Sequence, residues 1–319
     1  MMRSWNRFFI EITNRCDFDC VFCPSGISER PRTDMVREVA FELIDQLQGL
    51  GFRRTIYFHV LGEPLLHPHV FPIVYRAAEA GMAPVLFTNG GALTEDVVRG
   101  ILASNAAEVL ISMQTVSRQS YEMLRTTPLD YASYLGQIQR ALALAESHNT
   151  QQRPPRFRVS VGVKQDDPDH PGDGHFVEES VADVKRSISA IFGQVKGADL
   201  TGVYRALGAD GVSGTGAIPV TGRLAVSVRP VGNWRRMWGD TPVSSGRCPH
   251  FGKELAVLSN GWVTLCHFDY DGRARVGDTT ERPLSEIVAS PQVRQMSEDF
   301  LAGKSVPKGC RYCRALVDA

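Results

Sequence analysis

Seven cysteines, spaced as two groups, carry most of the chemistry that this 319-residue chain offers. The first group has the spacing C-x3-C-x2-C and consists of Cys16, Cys20 and Cys23. The second group uses the remaining thiols, which are Cys248, Cys266, Cys310 and Cys313. Three thiolates leave one iron of an iron–sulfur cluster open, whereas four thiolates close a cluster completely. One open and one closed cluster is the arrangement of a redox enzyme rather than of a scaffold.

Other chemistry uses similar spacings. Short Cys-x2-Cys pairs also bind zinc or form redox dithiols, so the first group alone leaves zinc open. A disulfide framework is not expected, because a chain of this length builds its own core and no secretory segment is evident.

The segments around the first group alternate between strand and helix patterns. Residues 8–13 alternate in polarity like a strand, and residues 35–50 place their apolar side chains on one helical face. Residues 55–61 form an apolar run typical of a buried strand and end in the turn Gly62-Glu63-Pro64. A carboxylate on such a turn suits capture of an amine, glycine permits close approach of a ligand, and proline stiffens the turn.

Together, the triad and this turn resemble the radical S-adenosylmethionine (SAM) superfamily. The resemblance implies that Cys16, Cys20 and Cys23 hold a [4Fe–4S] cluster whose fourth iron is chelated by the methionine moiety of SAM. It also implies that Gly62, Glu63 and Pro64 bind the methionine amino group. Phe22 matches the aromatic position that meets the adenine.

Further strands are expected at residues 84–90, 109–114, 158–163 and 224–228, with helices at 70–80, 95–104 and 131–146. Strands that alternate with helices predict an α/β fold with a parallel sheet. The resembling family folds as a partial (β/α)6 barrel of the TIM type, and we expect it to span residues 1–230. Ligands of such barrels bind at the carboxyl ends of the strands.

Polar residues stand at several of these strand ends, and the resemblance gives them candidate roles in SAM binding. Ser112 matches a position that touches the SAM ribose or carboxylate, and Arg125 matches an arginine that faces the carboxylate. The other candidates are Thr88, Asn89 and Gln114. Turn formation is the alternative for Thr88 and Asn89, and a solvated helix surface is the alternative for Arg125. His59, inside its strand, is a candidate substrate contact.

The second cysteine group lies on a different pattern. Two short apolar runs meet at Asn260-Gly261, a pair that favours a type I′ turn, so a hairpin is expected to bring Cys266 back beside Cys248. This segment, followed by Gly277 and a short helix, resembles the C-terminal SPASM/Twitch extension, here expected at residues 246–319. Four cysteines match its Twitch form, which holds one auxiliary [4Fe–4S] cluster. A four-cysteine zinc site is the alternative.

A less regular segment, residues 165–222, separates these regions and is interpreted as an insertion or lid over the barrel mouth. It contains a polar loop at 165–174, an expected helix at 177–192 and a glycine-rich stretch at 197–222. Arginines near Trp234 and Trp238 are equally consistent with an anionic substrate and with a solvated surface. They are Arg223, Arg229, Arg235, Arg236 and Arg247.

Composition limits the partners. Lys plus Arg number 35 and Asp plus Glu number 35, and this zero formal charge argues against a nucleic-acid-binding surface. No membrane span is expected, and clusters bound by thiolates favour a reducing cytoplasmic location. The implied partners are a small-molecule substrate and a reductant such as flavodoxin or ferredoxin.

The resemblance implies that SAM is cleaved to a 5′-deoxyadenosyl radical that removes hydrogen from a sugar, aminocyclitol or nucleoside in natural-product biosynthesis. Because a closed auxiliary cluster suits electron transfer, we expect an oxidation, most like the aminocyclitol dehydrogenase type, with Arg229 assisting loss of the hydroxyl proton. The alternatives are radical epimerisation, sulfur insertion, maturation of a ribosomal peptide, and a cluster-bearing carrier or sensor without turnover.

Overall fold

The computed structural model describes residues 5–148, 154–163, 180–208, 216–230 and 234–314. Within these ranges the chain forms two compact units. The first unit comprises the described parts of residues 1–16, 24–84 and 233–319, and the second those of residues 17–23 and 85–232.

The described residues form twelve strands: β1 (Arg7–Ile10), β2 (Asp19–Cys20), β3 (Thr55–Tyr57), β4 (Ala83–Thr88), β5 (Glu108–Gln114), β6 (Arg125–Thr126), β7 (Arg156–Val163), β8 (Ile218–Pro219), β9 (Leu224–Pro230), β10 (Glu254–Val257), β11 (Trp262–Thr264) and β12 (Arg275–Asp278). They form nine α-helices: α1 (Arg37–Gly49), α2 (Val70–Glu79), α3 (Glu95–Ala103), α4 (Arg118–Leu124), α5 (Tyr131–Ser147), α6 (Val181–Ile191), α7 (Thr201–Leu207), α8 (Leu284–Ala289) and α9 (Pro291–Leu301).

In the first unit, β1 lies between two parallel neighbours. Phe8 of β1 is in register with Ile56 of β3 on one side and with Leu255 of β10 on the other. Beyond β10, β11 pairs antiparallel with β10 on one side and with β12 on the other. Phe8 and Ile56 are completely buried, as are Leu43 and Leu47 on one face of α1. Burial of this apolar face is the main force that holds such a helix in place.

The second unit is built on parallel strands. β4 pairs with β5, β5 with β7, and β7 with β9, while β8 closes the edge antiparallel to β9. Apolar side chains are buried on both faces of β5, since Val109 and Ile111 are completely buried on one face and Leu110 is 2% exposed on the other. Such continuous apolar runs are typical of parallel strands covered on both sides. A separate pair, β2 with β6, runs antiparallel.

The predicted α/β class with a parallel sheet is confirmed. All six strands expected from the sequence are present as β1, β3, β4, β5, β7 and β9, although β3 ends at Tyr57 rather than at residue 61. Beyond the strand, the N–H of Leu61 donates to the buried Glu11 carboxylate at 2.9 Å rather than to a neighbouring strand. The expected helix at 177–192 is seen as α6, and α7 lies in the glycine-rich stretch. The polar loop at 165–174 lies outside the described residues.

In the described ranges, none of the helices combines the length and the apolar character that crossing a bilayer requires.

Candidate functional site

All four thiols of the second cysteine group line one cavity in the first unit. The rest of its wall is mostly apolar and consists of Trp238, Phe251, Leu265, Phe268, Ala274 and Phe300, joined by the polar residues His250 and Asp269. Four soft sulfur ligands around one enclosed space form a complete donor set for an iron–sulfur cluster or for zinc. The sequence prediction that these distant cysteines share one site is therefore supported by their placement.

The β10–β11 hairpin positions two of these ligands. Val257 of β10 pairs with Val263 of β11, so the chain reverses between them and returns along β10. Gly261, in the turn, has φ +90°, a left-handed conformation that glycine adopts without strain. Cys266 follows the end of β11, while Cys248 precedes β10.

The other two ligands lie on a tight turn near residue 310. Cys310 ends the 3-10 turn Lys308–Cys310, and its carbonyl accepts the N–H of Cys313 at 2.9 Å. Gly309 packs so closely that a Cβ there would lie 2.2 Å from the carbonyl oxygen of Arg273. Trp238 forms an isolated antiparallel bridge with Cys313. Main-chain packing therefore fixes the backbone positions of Cys310 and Cys313.

The cavity disfavours free thiolates. Burial raises the pKa of Cys310 to about 12, and burial together with the Glu254 charge raises the pKa of Cys266 well above its usual range. Asp269 also faces the cavity, and its pKa is raised to about 6 by burial. A bound metal centre reverses this balance because its positive charge stabilises the thiolate form. The donor set and its surroundings therefore fit an iron–sulfur cluster.

Glu254 connects the segments that carry Cys248 and Cys266. Its carboxylate is buried and lies 2.5 Å from Nδ1 of His267, 3.5 Å from Nδ1 of His250 and 2.7 Å from Nη2 of Arg7. Burial opposes ionisation, yet the hydrogen bonds from both imidazoles lower the pKa of Glu254 overall. The ionised carboxylate of Glu254 therefore links the segments that carry Cys248 and Cys266 to β1. The arginine and the short contact to His267 mark the cluster of His250, Glu254 and His267 as an ion-paired network.

The turn Gly62-Glu63-Pro64 packs against the segment that leads into Cys16. Gly62 has φ +81°, and a Cβ at this position would lie 2.5 Å from the carbonyl oxygen of Thr13. The N–H of Glu63 donates to the carbonyl oxygen of Arg15 at 2.8 Å. The Glu63 carboxylate is buried, and its Oε1 accepts the N–H of Leu65 at 3.0 Å, which caps the following 3-10 turn. The carboxylate is therefore held in a defined orientation, in a turn that packs against residues 13–15.

In the second unit, the other two cysteines of the triad flank a turn. The carbonyl of Cys20 accepts the N–H of Cys23 at 2.9 Å. Cys20 also pairs with Arg125 in the small β2–β6 ladder. Burial raises the pKa of Cys20, and the Arg125 charge partly opposes this rise. Cys20, a predicted cluster ligand, and Arg125 are thus neighbours in one ladder.

Comparison with known families identifies both cysteine regions. Residues 10–146 match the radical SAM superfamily, and residues 248–314 match the iron–sulfur cluster-binding SPASM domain. The chain carries a radical SAM domain and a SPASM domain. The radical SAM domain binds SAM and a [4Fe–4S] cluster, and the SPASM domain binds additional iron–sulfur clusters.

Curated relatives match part of the chain. An AdoMet-dependent heme synthase of Methanosarcina barkeri is 29% identical over 42% of this chain and 36% of its own length. An S-adenosyl-L-methionine-dependent 2-deoxy-scyllo-inosamine dehydrogenase of Niallia circulans is 26% identical over 38% of this chain and 50% of its own length. The matched region therefore spans half or less of each of these relatives.

Solved structures resemble nearly the whole chain. BtrN in complex with AdoMet and 2-DOIA has a TM-score of 0.53 at 16% identity and covers 97% of this chain and 93% of its own. Streptococcus suis SuiB bound to S-adenosylmethionine has a TM-score of 0.55 at 12% identity and covers 92% and 68%. At such identities the likeness concerns the fold, and it agrees with the partial barrel and C-terminal extension expected from the sequence.

Two of the proposed SAM-binding residues have partners within the second unit. Thr88 Oγ1 accepts the N–H of Gly90 at 3.0 Å, and Asn89 Oδ1 accepts the N–H of Gly91 at 2.6 Å. The Asn89 amide also donates to Asp17 at 2.8 Å. These bonds are those of turn-forming residues, which is the alternative that the sequence left open. A SAM contact for Thr88 and Asn89 stays a prediction, as does the adenine contact of the half-buried Phe22.

Arg125, the first residue of β6, contacts the carboxyl end of β5. Its Nη2 donates to the carbonyl oxygens of Ser112 and Met113, the latter at 2.9 Å. The guanidinium carbon lies 5.3 Å from the centroid of the Phe18 ring. Ser112 Oγ accepts the amide N–H of Gln114 at 3.0 Å. Arg125 therefore stabilises this strand end directly, and its contact with the SAM carboxylate remains a prediction, as do those of Ser112 and Gln114.

The two candidates for substrate chemistry differ in exposure. His59 makes edge-on contacts with the stacked rings of Phe9 and Tyr57, whose centroids each lie 5.9 Å from its own. Burial lowers its pKa to about 3, so the imidazole is neutral near pH 7. Arg229 is exposed near the end of β9. By contrast, Arg223 donates to the carbonyl of Ala145 at 3.1 Å, so this arginine serves the end of α5 rather than an anionic ligand.

Sequence reasoning missed the side chains that surround the auxiliary ligands. No sequence spacing indicated that Asp269 and Glu254 lie near the cysteines, because their positions there depend on how the hairpin packs beside β1. His250 and His267 did offer one signal, since each lies within two residues of a cluster cysteine.

Proposed function

We propose that this chain is a radical SAM oxidoreductase that oxidises a small polar substrate in natural-product biosynthesis. The substrate classes we favour are a sugar, an aminocyclitol or a nucleoside with an alcohol group. The exposed arginines would bind an anionic group on such a substrate. The proposal extends the radical SAM and SPASM assignments to a particular reaction.

The placement of Cys248, Cys266, Cys310 and Cys313 around one cavity is the observation that carries the proposal. Four thiolates satisfy every iron of a single [4Fe–4S] cluster, so no iron is left to bind substrate. Such a cluster suits electron transfer. The match to a 2-deoxy-scyllo-inosamine dehydrogenase supports the same reaction class.

When bound, SAM and the two clusters supply a 5′-deoxyadenosyl radical and an electron acceptor. Abstraction of a hydrogen atom from a carbinol carbon gives 5′-deoxyadenosine and a substrate radical. Loss of the hydroxyl proton and of one electron then yields a carbonyl group, which completes a two-electron oxidation. The chain's own residues orient SAM and substrate and exclude water.

Particular residues have proposed roles in that positioning. Cys16, Cys20 and Cys23 hold the SAM cluster, and the fixed carboxylate of Glu63 binds the SAM amino group. Arg229, as an exposed cation, attracts an anionic substrate or stabilises the oxygen that loses its proton. His59 contributes a neutral polar contact, since an imidazole with a pKa of about 3 is a weak base.

The proposal includes a low-potential reductant, such as flavodoxin or ferredoxin, and a cytoplasmic location. Both follow from the chemistry of the clusters, which need electrons and a reducing environment.

Anaerobic turnover tests the proposal, with dithionite as the reductant and 2-deoxy-scyllo-inosamine as the first probe, followed by sugars and nucleosides. We expect 5′-deoxyadenosine and a ketone product in equal amounts. A Cys310→Ala variant should still form 5′-deoxyadenosine slowly without ketone, whereas Cys16→Ala should form neither. Equal loss of SAM cleavage in both variants would contradict an electron-accepting role for the C-terminal cluster, and an epimerised product would replace oxidation by epimerisation.

A further inference from the structure

Trp238 lies directly beside the last ligand of the auxiliary site. Its main chain bridges Cys313, and the bonds on either side of the bridge extend this contact. The N–H of Gly239 donates to the carbonyl of Tyr312 at 2.7 Å, and the N–H of Arg314 donates to the carbonyl of Met237 at 2.9 Å. Trp238 is therefore fixed relative to Cys313 by backbone hydrogen bonds on both flanks.

The indole of Trp238 forms part of the cavity wall that the four cysteines share. The guanidinium carbon of Arg273 lies 5.0 Å from its ring centroid, so a cation covers the ring. The indole Nε1 is buried, and no hydrogen-bond acceptor lies within reach of it in the described ranges of the chain. A buried donor without an acceptor destabilises a fold, and native proteins rarely keep one unless a bound group satisfies it.

A sulfur-rich cluster would provide the missing acceptor. Its sulfides and thiolate sulfurs accept N–H hydrogen bonds, and such bonds are among the features that set the reduction potential. A donated hydrogen carries partial positive charge, so it stabilises the reduced, more negative form more than the oxidised form. The potential of the cluster rises as a result.

We propose that Trp238 donates an N–H···S hydrogen bond from Nε1 to the auxiliary cluster and thereby raises its reduction potential. This inference rests on the proposed function, because it places an iron–sulfur cluster in the cavity and explains how that cluster is adapted to accept an electron.

Trp234 offers a matched control four residues away. Its Nε1 is also buried without an acceptor among the described residues, and it packs against Phe268 and Tyr270 with centroids 5.8 and 6.3 Å apart. Trp234 is not part of the cavity wall. The variant Trp238→Phe therefore removes a buried N–H without an acceptor on the cavity wall, and Trp234→Phe removes a similar N–H away from that wall.

The test uses the full-length chain with Cys16, Cys20 and Cys23 changed to alanine, so that the auxiliary cluster is the only one measured. Potentiometric titration followed by EPR should give a more negative midpoint for Trp238→Phe than for the parent and for Trp234→Phe. Equal midpoints for all three proteins would overturn the proposal.

A second measurement does not depend on the variant retaining its cluster. With tryptophan labelled by 15N in the indole, pulsed EPR of the reduced parent should show a 15N coupling, and the coupling should persist in Trp234→Phe. Absence of any indole coupling in the parent would overturn the proposal even if Trp238→Phe loses iron.

Failure of this inference is distinguishable from failure of the proposed function. Both measurements are made at equilibrium without SAM or substrate. A lowered midpoint in Trp238→Phe, with no ketone formed by the chain that retains Cys16, Cys20 and Cys23, would support the role of Trp238 and reject the oxidation. Ketone formation by that chain, with unchanged midpoints in the variants, would do the reverse.

Discussion

Glu11 and Arg30 form a buried ion pair with two parallel hydrogen bonds, 2.6 and 2.7 Å long. The remaining donors around Glu11 are main-chain and side-chain groups of distant segments: the N–H of Leu61 and both the N–H and the hydroxyl of Ser259. Arg30 Nε donates to the carbonyl of Tyr270 at 2.6 Å. One carboxylate on the continuation of β1 therefore connects the approach to the Gly62 turn with the β10–β11 turn.

Removal of Arg30 should strongly destabilise the fold. Arg30→Met leaves the Glu11 carboxylate buried without its charge partner, which costs about 3–5 kcal/mol in the free energy of unfolding. The double variant Arg30→Met with Glu11→Leu should recover part of this loss. Arg99→Met, which breaks the exposed pair with Glu95, is the control and should cost at most about 1 kcal/mol. Urea unfolding of the anaerobic apo-protein measures all four proteins, and similar losses in the two single variants would contradict the prediction.

Gly62→Ala should weaken SAM binding as well as stability. A side chain at φ +81° costs roughly 1–2 kcal/mol, and at this position its Cβ would also collide with the main chain of Thr13 and Asn14. Gly51→Ala is the matched control because Gly51 has φ +77° with open space around it. Equilibrium dialysis of SAM and urea unfolding measure the two effects. We expect both variants to lose stability and only Gly62→Ala to lose SAM binding, so unchanged SAM binding in Gly62→Ala would refute the prediction.

Gly309→Ala should empty the auxiliary site selectively. Its Cβ would lie 2.2 Å from the carbonyl oxygen of Arg273, so the turn that carries Cys310 must move. Gly303→Ala, at φ +69° in open space, tests for a general effect of alanine in this region. After anaerobic reconstitution we expect about eight irons per chain in the parent and in Gly303→Ala, and about four in Gly309→Ala. Eight irons in Gly309→Ala would show that the turn tolerates the added methyl group.

His59 should make the apo-protein less stable as the pH falls. Its folded pKa of about 3 lies below the usual value, so the unfolded chain binds a proton more readily than the folded chain. The contribution of the neutral imidazole is complete above about pH 6.5 and is lost progressively as the pH falls toward 3. Between pH 7 and 5 this one group accounts for about 2 kcal/mol of the decrease. A His59→Asn variant should show a correspondingly shallower decrease in urea unfolding, and parallel pH profiles for the two proteins would argue against it.

The radical SAM and SPASM domains could be predicted from the sequence because their motifs depend on residue type and spacing. The hairpin was predictable for a similar reason, since Asn260-Gly261 favours one turn geometry. The main strands followed from apolar runs. In each of these cases the signal is local in the chain.

The remaining features depend on contacts between distant segments. Nothing near Arg30 in the sequence indicates that its partner is Glu11, and nothing near Trp238 indicates that it joins the cavity wall. Helix α4 was not predicted, because its seven residues carry too few apolar side chains for a clear helical period. Arg125 was assigned by resemblance to a ligand contact, while its bonds to strand-end carbonyls emerge only once β5 and β6 are in place.

β10 continues the sheet beside β1, with Arg7 opposite Glu254 and Ile10 opposite Val257. Truncation of the chain before β10 would leave the N–H and C=O groups of β1 along one whole edge without their ladder partners. An exposed apolar strand edge of this kind recruits other chains and promotes aggregation. The cluster-binding extension of this protein therefore also protects the first strand from pairing with other chains.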